Sequence, residues 1–261
     1  MPGPHFRESD IEHQRALAAV DFQSTPRDPA DLDIANGYGP VECRNDARAL
    51  QAAYYAVINL IDDQVGRVLR ALDDSAQREN TMIVFTSDHG EMLGDLGLIQ
   101  KGCRFYEGLV RVPLIIAYPG QFQRDTVSTA LVELTDLAPT ILEVAGLRVP
   151  DEMQGRSLVP ILRGDANADS HRAFVRCEYF DALEKPDATF ATMYRDSRYK
   201  ILVYDGHGLG ELYDLESDPW EFEDLWDSPD HSRVKCELVQ RSFDASNLAS
   251  IDVGPRRIGP M

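Results

Sequence analysis

From residue 46 to residue 74 the apolar side chains recur at spacings of three and four. Tyr54, Val57, Ile58, Ile61, Val65, Val68, Leu69 and Leu72 fall on one helical face, and Ala47, Ala49, Ala52 and Ala53 add helix propensity. The segment therefore predicts one long amphipathic helix. A polar turn over 73–80 separates it from Met82-Ile83-Val84-Phe85. That run is continuous rather than alternating and too short for a helix, which predicts a strand buried on both faces. Residues 112–118 repeat the pattern and are closed by Pro119-Gly120, predicting a second such strand. Thr135-Asp136 then opens a helix over 137–145, with Pro139 near its first turn and Gly146 ending it.

Over 164–170 the composition turns small and polar, marking a boundary. Beyond it, short apolar runs at 173–179, 189–194, 199–204 and 211–213 are separated by turn residues, as in an antiparallel sheet. Residues 234–248 predict a closing helix and 251–261 a loose tail. At the other end, residues 1–45 are polar, carry Pro2, Pro4, Pro26, Pro29 and Pro40, and show little periodicity. They predict an irregular lead-in. The expected organisation is an α/β unit over 1–168 and a small antiparallel α+β unit over 169–261.

Composition narrows the classes. With 43% hydrophobic and 27% charged residues in 261, the chain has an ordinary globular balance and can bury a sizeable core. A formal charge of −18 argues against nucleic acid as a partner, because phosphate backbones are bound by Lys and Arg. An anionic small molecule would need local positive charge to offset that field. The four cysteines, Cys43, Cys103, Cys177 and Cys236, form no C-x-x-C pair, so neither a disulfide framework nor a zinc knuckle is expected. No apolar stretch reaches the roughly 18 residues of a membrane span. MPGPHFRESD lacks the apolar core of a signal peptide, so a cytoplasmic location is expected. The sequence carries no signal of oligomeric state.

The candidate chemistry sits at the end of the first predicted strand. Ser87-Asp88-His89-Gly90 places an oxygen and a nitrogen ligand side by side where a strand ends, the position at which open α/β sheets collect ligand chemistry. Gly90 is expected to keep a side chain away from a bound ion. Asp62-Asp63 is not a catalytic pair, because adjacent helical residues point about 100° apart. Glu107 and Arg111 stand four apart and predict a structural ion pair. His5, after Pro4, reads by itself as a surface histidine.

These stretches resemble the sulfatase family within the alkaline phosphatase-like superfamily. The matching pieces are Ser87-Asp88-His89-Gly90, the turn Gly94-Asp95-Leu96-Gly97 and Lys101. With them match the segments YEGLVRVPLII, LVELTDLAPTILEVAGLRVPDEMQGRSLVPIL and LYDLESDPWEFEDL. The resemblance runs from about residue 46 to 225 and corresponds to the carboxyl-terminal half of the family. It implies part of a mixed, mostly parallel sheet flanked by helices, followed by a small antiparallel domain. It also implies that Asp88 and His89 bind a divalent metal, calcium first with manganese or magnesium as alternatives. Lys101 would contact the oxygens of a small anionic ester: a sulfate, or alternatively a phosphate or phosphonate. Leu96 departs from the family, which has His there. The family also has an active-site His in a Pro-His context upstream of the helix, the setting of His5.

The family's nucleophile is a formylglycine made from the Cys or Ser of a C/S-x-P-x-R motif. None of the four cysteines has that context, and Ser24-Thr25-Pro26-Arg27 has its Arg one place early. The expected function is a metal-dependent sulfuric ester hydrolase represented without its nucleophile motif. Two alternatives stay open: a phosphodiesterase or phosphonate monoester hydrolase on the same fold, and a truncated, non-catalytic protein.

Overall fold

A computed structural model describes residues 3–18, 20, 28–31, 46–180 and 189–251. Cys43, the Ser24–Arg27 near-motif and the tail beyond 251 lie outside the described residues. The lead-in is not wholly irregular, because helix α1 spans Glu8–Ala16. Its packed face is polar, which hides it from a periodicity search. Asp10 caps the helix start by accepting from the Arg7 amide (2.6 Å), and Gln14 and His13 hydrogen-bond inward. Helix α2 spans Ala47–Asp74, as expected, and Asp46 caps it by accepting from the Ala49 amide at 2.8 Å. Its apolar face is open among the described residues: Tyr54, Val57, Ile58, Ile61 and Val68 are exposed, and only Ala47 is buried.

Strands β1 (Ile83–Thr86) and β2 (Leu114–Ala117) fall where the apolar runs placed them. Their pairing differs from the mostly parallel arrangement expected. They run antiparallel, with Phe85 opposite Ile115, and no parallel pair occurs among the described residues. Nor are they buried on both faces, since Phe85 and Ile115 are exposed. An apolar run shows that a strand favours cover. It does not show the direction of its neighbour, which depends on the connecting chain.

Helices α3 (Glu107–Val110), α4 (Leu137–Val144) and α5 (Val159–Arg163) lie between and after these strands. Gly146 (φ 68°) and Gly164 (φ 82°) end α4 and α5 in the left-handed conformation that glycine adopts without steric cost.

Strands β3 (Val175–Phe180), β4 (Phe190–Arg195), β5 (Tyr199–Tyr204) and β6 (Leu209–Asp214) form an antiparallel sheet in sequence order. Side chains alternate across it. Tyr194, Ile201 and Leu212 face helix α6 (Ser232–Ile251) and meet Leu238 and Ala245. Ala191, Met193, Leu202, Tyr204 and Tyr213 face the other way, onto Met92, Leu96, Leu98, Phe105, Tyr106 and Leu109. The main core thus lies between this sheet and the long segment leaving β1. No helix among the described residues is long and apolar enough to cross a membrane.

A buried ammonium joins the two regions. Lys200 on β5 donates to Glu107 (2.9 Å) and Glu221 (2.6 Å), and Arg195 reaches Glu107 at 3.3 Å. Glu107 therefore pairs across the core and not with Arg111, the partner its helical spacing suggested. Helix α3 is a single turn, and its carboxylate is directed at the sheet.

Candidate active site at the end of strand β1

The chain leaves β1 in a turn held by its own side chains. Ser87 Oγ donates to the His89 carbonyl at 2.8 Å, and the His89 amide donates to Asp88 Oδ1 at 3.0 Å. That amide, and then the nearby His89 ring, hold the Asp88 carboxyl below its ordinary range. Asp88 projects into solvent, and His89 is partly covered. His89 Nδ1 lies 2.8 Å from the Gly90 carbonyl, which can only accept, so Nδ1 carries the proton. Nε2 then carries the ring's lone pair, which in this structure faces Lys101, and the tautomer is the one a metal-binding histidine requires. Lys101 Nζ stands 2.9 Å from that nitrogen, and Asp88 Oδ2 is 3.6 Å from it. Asp88, His89 and Lys101 therefore converge.

Gly90 is needed for a backbone reason that the sequence does not reveal. A Cβ there would come within 1.9 Å of the Gly108 carbonyl oxygen, and the Gly90 amide donates to Leu109 at 2.7 Å. The glycine lets the segment close on itself. Within the closed segment Glu91 accepts from the Gln100 amide, immediately before Lys101.

The turn Gly94–Gly97 is left-handed at Gly94 (φ 99°) and Leu96 (φ 55°). Leu96 is buried in the main core, so the residue that departs from the family packs inward. His5 is half-buried beside this turn. Its amide donates to Asp95 Oδ1 (2.8 Å), its carbonyl accepts from the Leu96 amide (2.8 Å), and its ring stacks on Trp220 at 3.4 Å. Burial raises the Asp95 carboxyl above its ordinary value even with the His5 amide bound to it.

Sequence reasoning missed the charged residues beneath this segment: Glu211, Lys200, Glu221, Arg104 and His13. The available signal was a charged residue inside an apolar strand run, Lys200 in YKILVY and Glu211 in LGELYD. Such residues are almost never buried unless paired.

The structure thus brings an exposed Asp–His pair at the carboxyl end of a strand together with a lysine ammonium. Comparison with known proteins supplies the family. Residues 9–147 match the family model described as Sulfatase, and residues 94–247 match N-sulphoglucosamine sulphohydrolase, C-terminal. The chain belongs to the sulfatase family, within the alkaline phosphatase-like superfamily, and the match begins well before residue 46. A Delta 4,5-hexuronate-2-O-sulfatase of Bacteroides thetaiotaomicron is 34% identical over 78% of this chain and 44% of its own length. A solved structure described as bound to its substrate, D-glucosamine-2-N,6-O-disulfate, is similar with TM-score 0.68 at 29% identity. It covers 78% of this chain and 42% of that one. The phosphonate monoester hydrolase of Silicibacter pomeroyi has TM-score 0.77 at 26% identity over 96% of this chain and 50% of its own. The chain thus spans about half the length, or less, of these relatives.

The family implies a divalent metal. Donors sit roughly 2.0–2.6 Å from such an ion, so Asp88 Oδ2 and His89 Nε2, 3.6 Å apart, can occupy neighbouring positions around one. Among the described residues no group of three or more His, Cys, Asp or Glu side chains is placed to hold an ion. The donor pair fits part of a metal's shell.

Proposed function

We propose that the protein hydrolyses sulfuric esters, and that its substrate is a small sulfated molecule such as a sulfated sugar. The observation that carries this reading is the convergence of Asp88, His89 and Lys101, with Lys101 Nζ 2.9 Å from His89 Nε2. The substrate class is supported by the sulfated glucosamine bound to a structural relative and by the hexuronate sulfatase among the sequence relatives.

Asp88 and His89 would hold the divalent cation, calcium first, with manganese or magnesium as alternatives. When bound, the cation neutralises charge on the ester and polarises its oxygens. The His89 amide further favours the Asp88 anion. The Gly90 carbonyl fixes the His89 ring in the binding tautomer. Lys101 supplies a local positive charge to the sulfate oxygens, in a chain whose net −18 repels anions. The sequence contains no C/S-x-P-x-R motif, so the attacking oxygen is assigned to none of its residues.

A second reading, hydrolysis of phosphonate monoesters, is favoured by the likeness to a phosphonate monoester hydrolase. Sulfate and phosphonate esters present similar tetrahedral anions to the same three side chains. Comparing kcat/KM on matched aryl sulfate and aryl phosphonate separates the readings. Turnover of the aryl sulfate that is lost in Lys101→Ala supports the first. Asp88→Asn with unchanged metal affinity and turnover would remove the metal assignment. A purified protein with no turnover of either ester would favour the non-catalytic alternative.

A further inference from the structure

Beneath the Lys101 segment lies a carboxylate with an unusually complete set of donors. Glu211, in the middle of β6, is fully buried. Its Oε1 accepts from the hydroxyls of Tyr106 (2.6 Å) and Tyr213 (2.7 Å) and from His13 Nε2 (3.2 Å). Its Oε2 accepts from the Tyr204 hydroxyl (2.7 Å) and faces Arg104 Nη1 at 4.0 Å. Arg104 Nη1 also donates to the Tyr204 hydroxyl at 2.9 Å, and Gln14 donates to the Tyr106 hydroxyl at 2.7 Å. Burial acts to raise the Glu211 carboxyl, but the bonds from His13 and Tyr106 and the Arg104 charge outweigh it and bring it to about 2. Burial holds the three tyrosines well above their ordinary values, so their hydroxyls stay donors.

Two of these donors belong to the segment that carries Lys101. Arg104 follows it by three residues and Tyr106 by five. Between Lys101 and Arg104, Cys103 Sγ donates to the Val20 carbonyl at 3.3 Å. On the other side the Gln100 amide is bound to the Glu91 carboxylate. The backbone at Lys101 is thus clamped from both directions, and its carboxyl-terminal clamp is Glu211. Apolar packing alone would leave that clamp free to slide, because hydrophobic contact is non-directional. A buried carboxylate accepts only where its lone pairs point, so it fixes angle as well as distance.

We propose that Glu211 is a positioning residue: acting through Tyr106 and Arg104, it holds the segment that places Lys101 against His89. Its meaning for catalysis rests on the sulfate-ester reading, but the positioning itself can be measured without turnover. The core sheet would then set the geometry of a site on the opposite side of the Lys101 segment. Tyr213 provides the control. Its hydroxyl donates to the same Oε1, yet it sits on β6 beside Glu211 and has no part in the Lys101 segment.

The test uses limiting acetic anhydride on the full-length protein, with Lys101 acylation read by mass spectrometry against Lys235. Lys235 lies on α6 and donates to the Trp226 carbonyl at 2.6 Å. Glu211→Gln and Tyr106→Phe are expected to raise the Lys101 to Lys235 ratio severalfold, as Lys101 is released from His89. Tyr213→Phe is expected to lower the unfolding midpoint but leave the ratio at its wild-type value. If the ratio stays at wild type in Glu211→Gln and Tyr106→Phe while the midpoint falls, Glu211 is structural only and the proposal is wrong. A ratio that rises equally in all three variants would also overturn it. If Glu211→Gln does not fold, the comparison of Tyr106→Phe with Tyr213→Phe decides. Absence of wild-type turnover on sulfate esters would sink the functional reading and leave the acylation result standing.

Discussion

His89 and Lys101 are twelve residues apart in sequence and 2.9 Å apart in space, nitrogen to nitrogen. Only one of the two can carry the shared proton. Lys101 donates, and the ring nitrogen accepts because its other nitrogen is committed to the Gly90 carbonyl. Losing the ammonium should therefore damage recognition of an anionic ester more than it damages folding. Lys101→Ala is expected to lower kcat/KM on an aryl sulfate by roughly 100-fold or more, the usual cost of losing one charge-stabilising donor. Its unfolding midpoint should stay close to wild type. Steady-state kinetics beside a thermal melt would check both.

Gly90 makes a prediction that needs no substrate. An added Cβ would meet the Gly108 carbonyl oxygen at 1.9 Å, and that oxygen is backbone that cannot swing aside. Gly90→Ala is expected to cost about 3 kcal/mol by overpacking. Urea unfolding would show it. An unchanged midpoint would mean that the 90–109 segment does not close as described.

Stability should pass through a maximum in mildly acid solution. Asp224 is exposed at its surface, yet desolvation by its neighbours raises it to about 6, above its ordinary 3.8, so its native state binds the extra proton between those values. That contribution is complete below about 4 and is lost as pH rises through 6. Glu211 works in the opposite sense. Its carboxyl titrates near 2 in the fold and near 4.5 when unfolded, so its contribution is present above 4.5 and is lost as pH falls towards 2. The difference is worth on the order of 3 kcal/mol. Urea midpoints measured from pH 8 to pH 2.5 should rise and then fall. Glu211→Gln should flatten the acid limb, and Asp224→Asn the rise between pH 7 and pH 4.

Lys200 offers a sharper energetic test. Removing its ammonium leaves Glu107 and Glu221 facing each other in the core without their shared cation. Lys200→Met is expected to cost about 3–5 kcal/mol, the range for breaking a buried ion pair from one side. Pairing it with Glu221→Leu, which removes one stranded carboxylate, should recover part of the loss in a double-mutant cycle.

The elements legible in the sequence were those whose packing is apolar and regular. The three- and four-residue spacing from Tyr54 to Leu72 marked α2, and the runs at 199–204 and 211–213 marked β5 and the core of β6. What escaped was polar or depended on distant partners. Helix α1 presents Asp10, His13 and Gln14 inward, so no apolar stripe betrays it. Glu107 has a plausible helical neighbour in Arg111, but its partner, Lys200, is 93 residues away. Gly90 was singled out for clearance of an ion, and nothing local reveals that Gly108 also comes so near it. At the candidate site, the motif singled out Asp88, His89 and Lys101, which the structure brings close together. The carboxylate beneath them was not singled out, since a lone Glu in a strand carries no sign of its three tyrosines.

The open face of α2 has a consequence for the protein as a colloid. Among the described residues Tyr54, Val57, Ile58, Ile61 and Val68 form an uncovered oily stripe, and Phe85 and Ile115 add to the exposed apolar surface. Against their stickiness stands a net charge of −18. At low ionic strength mutual repulsion keeps molecules apart, but added salt shortens its range to about 8 Å at physiological strength. Light scattering from a dilute preparation should therefore grow as sodium chloride is raised. It should grow less after Val57→Glu and Ile61→Lys, which break the stripe without touching the core.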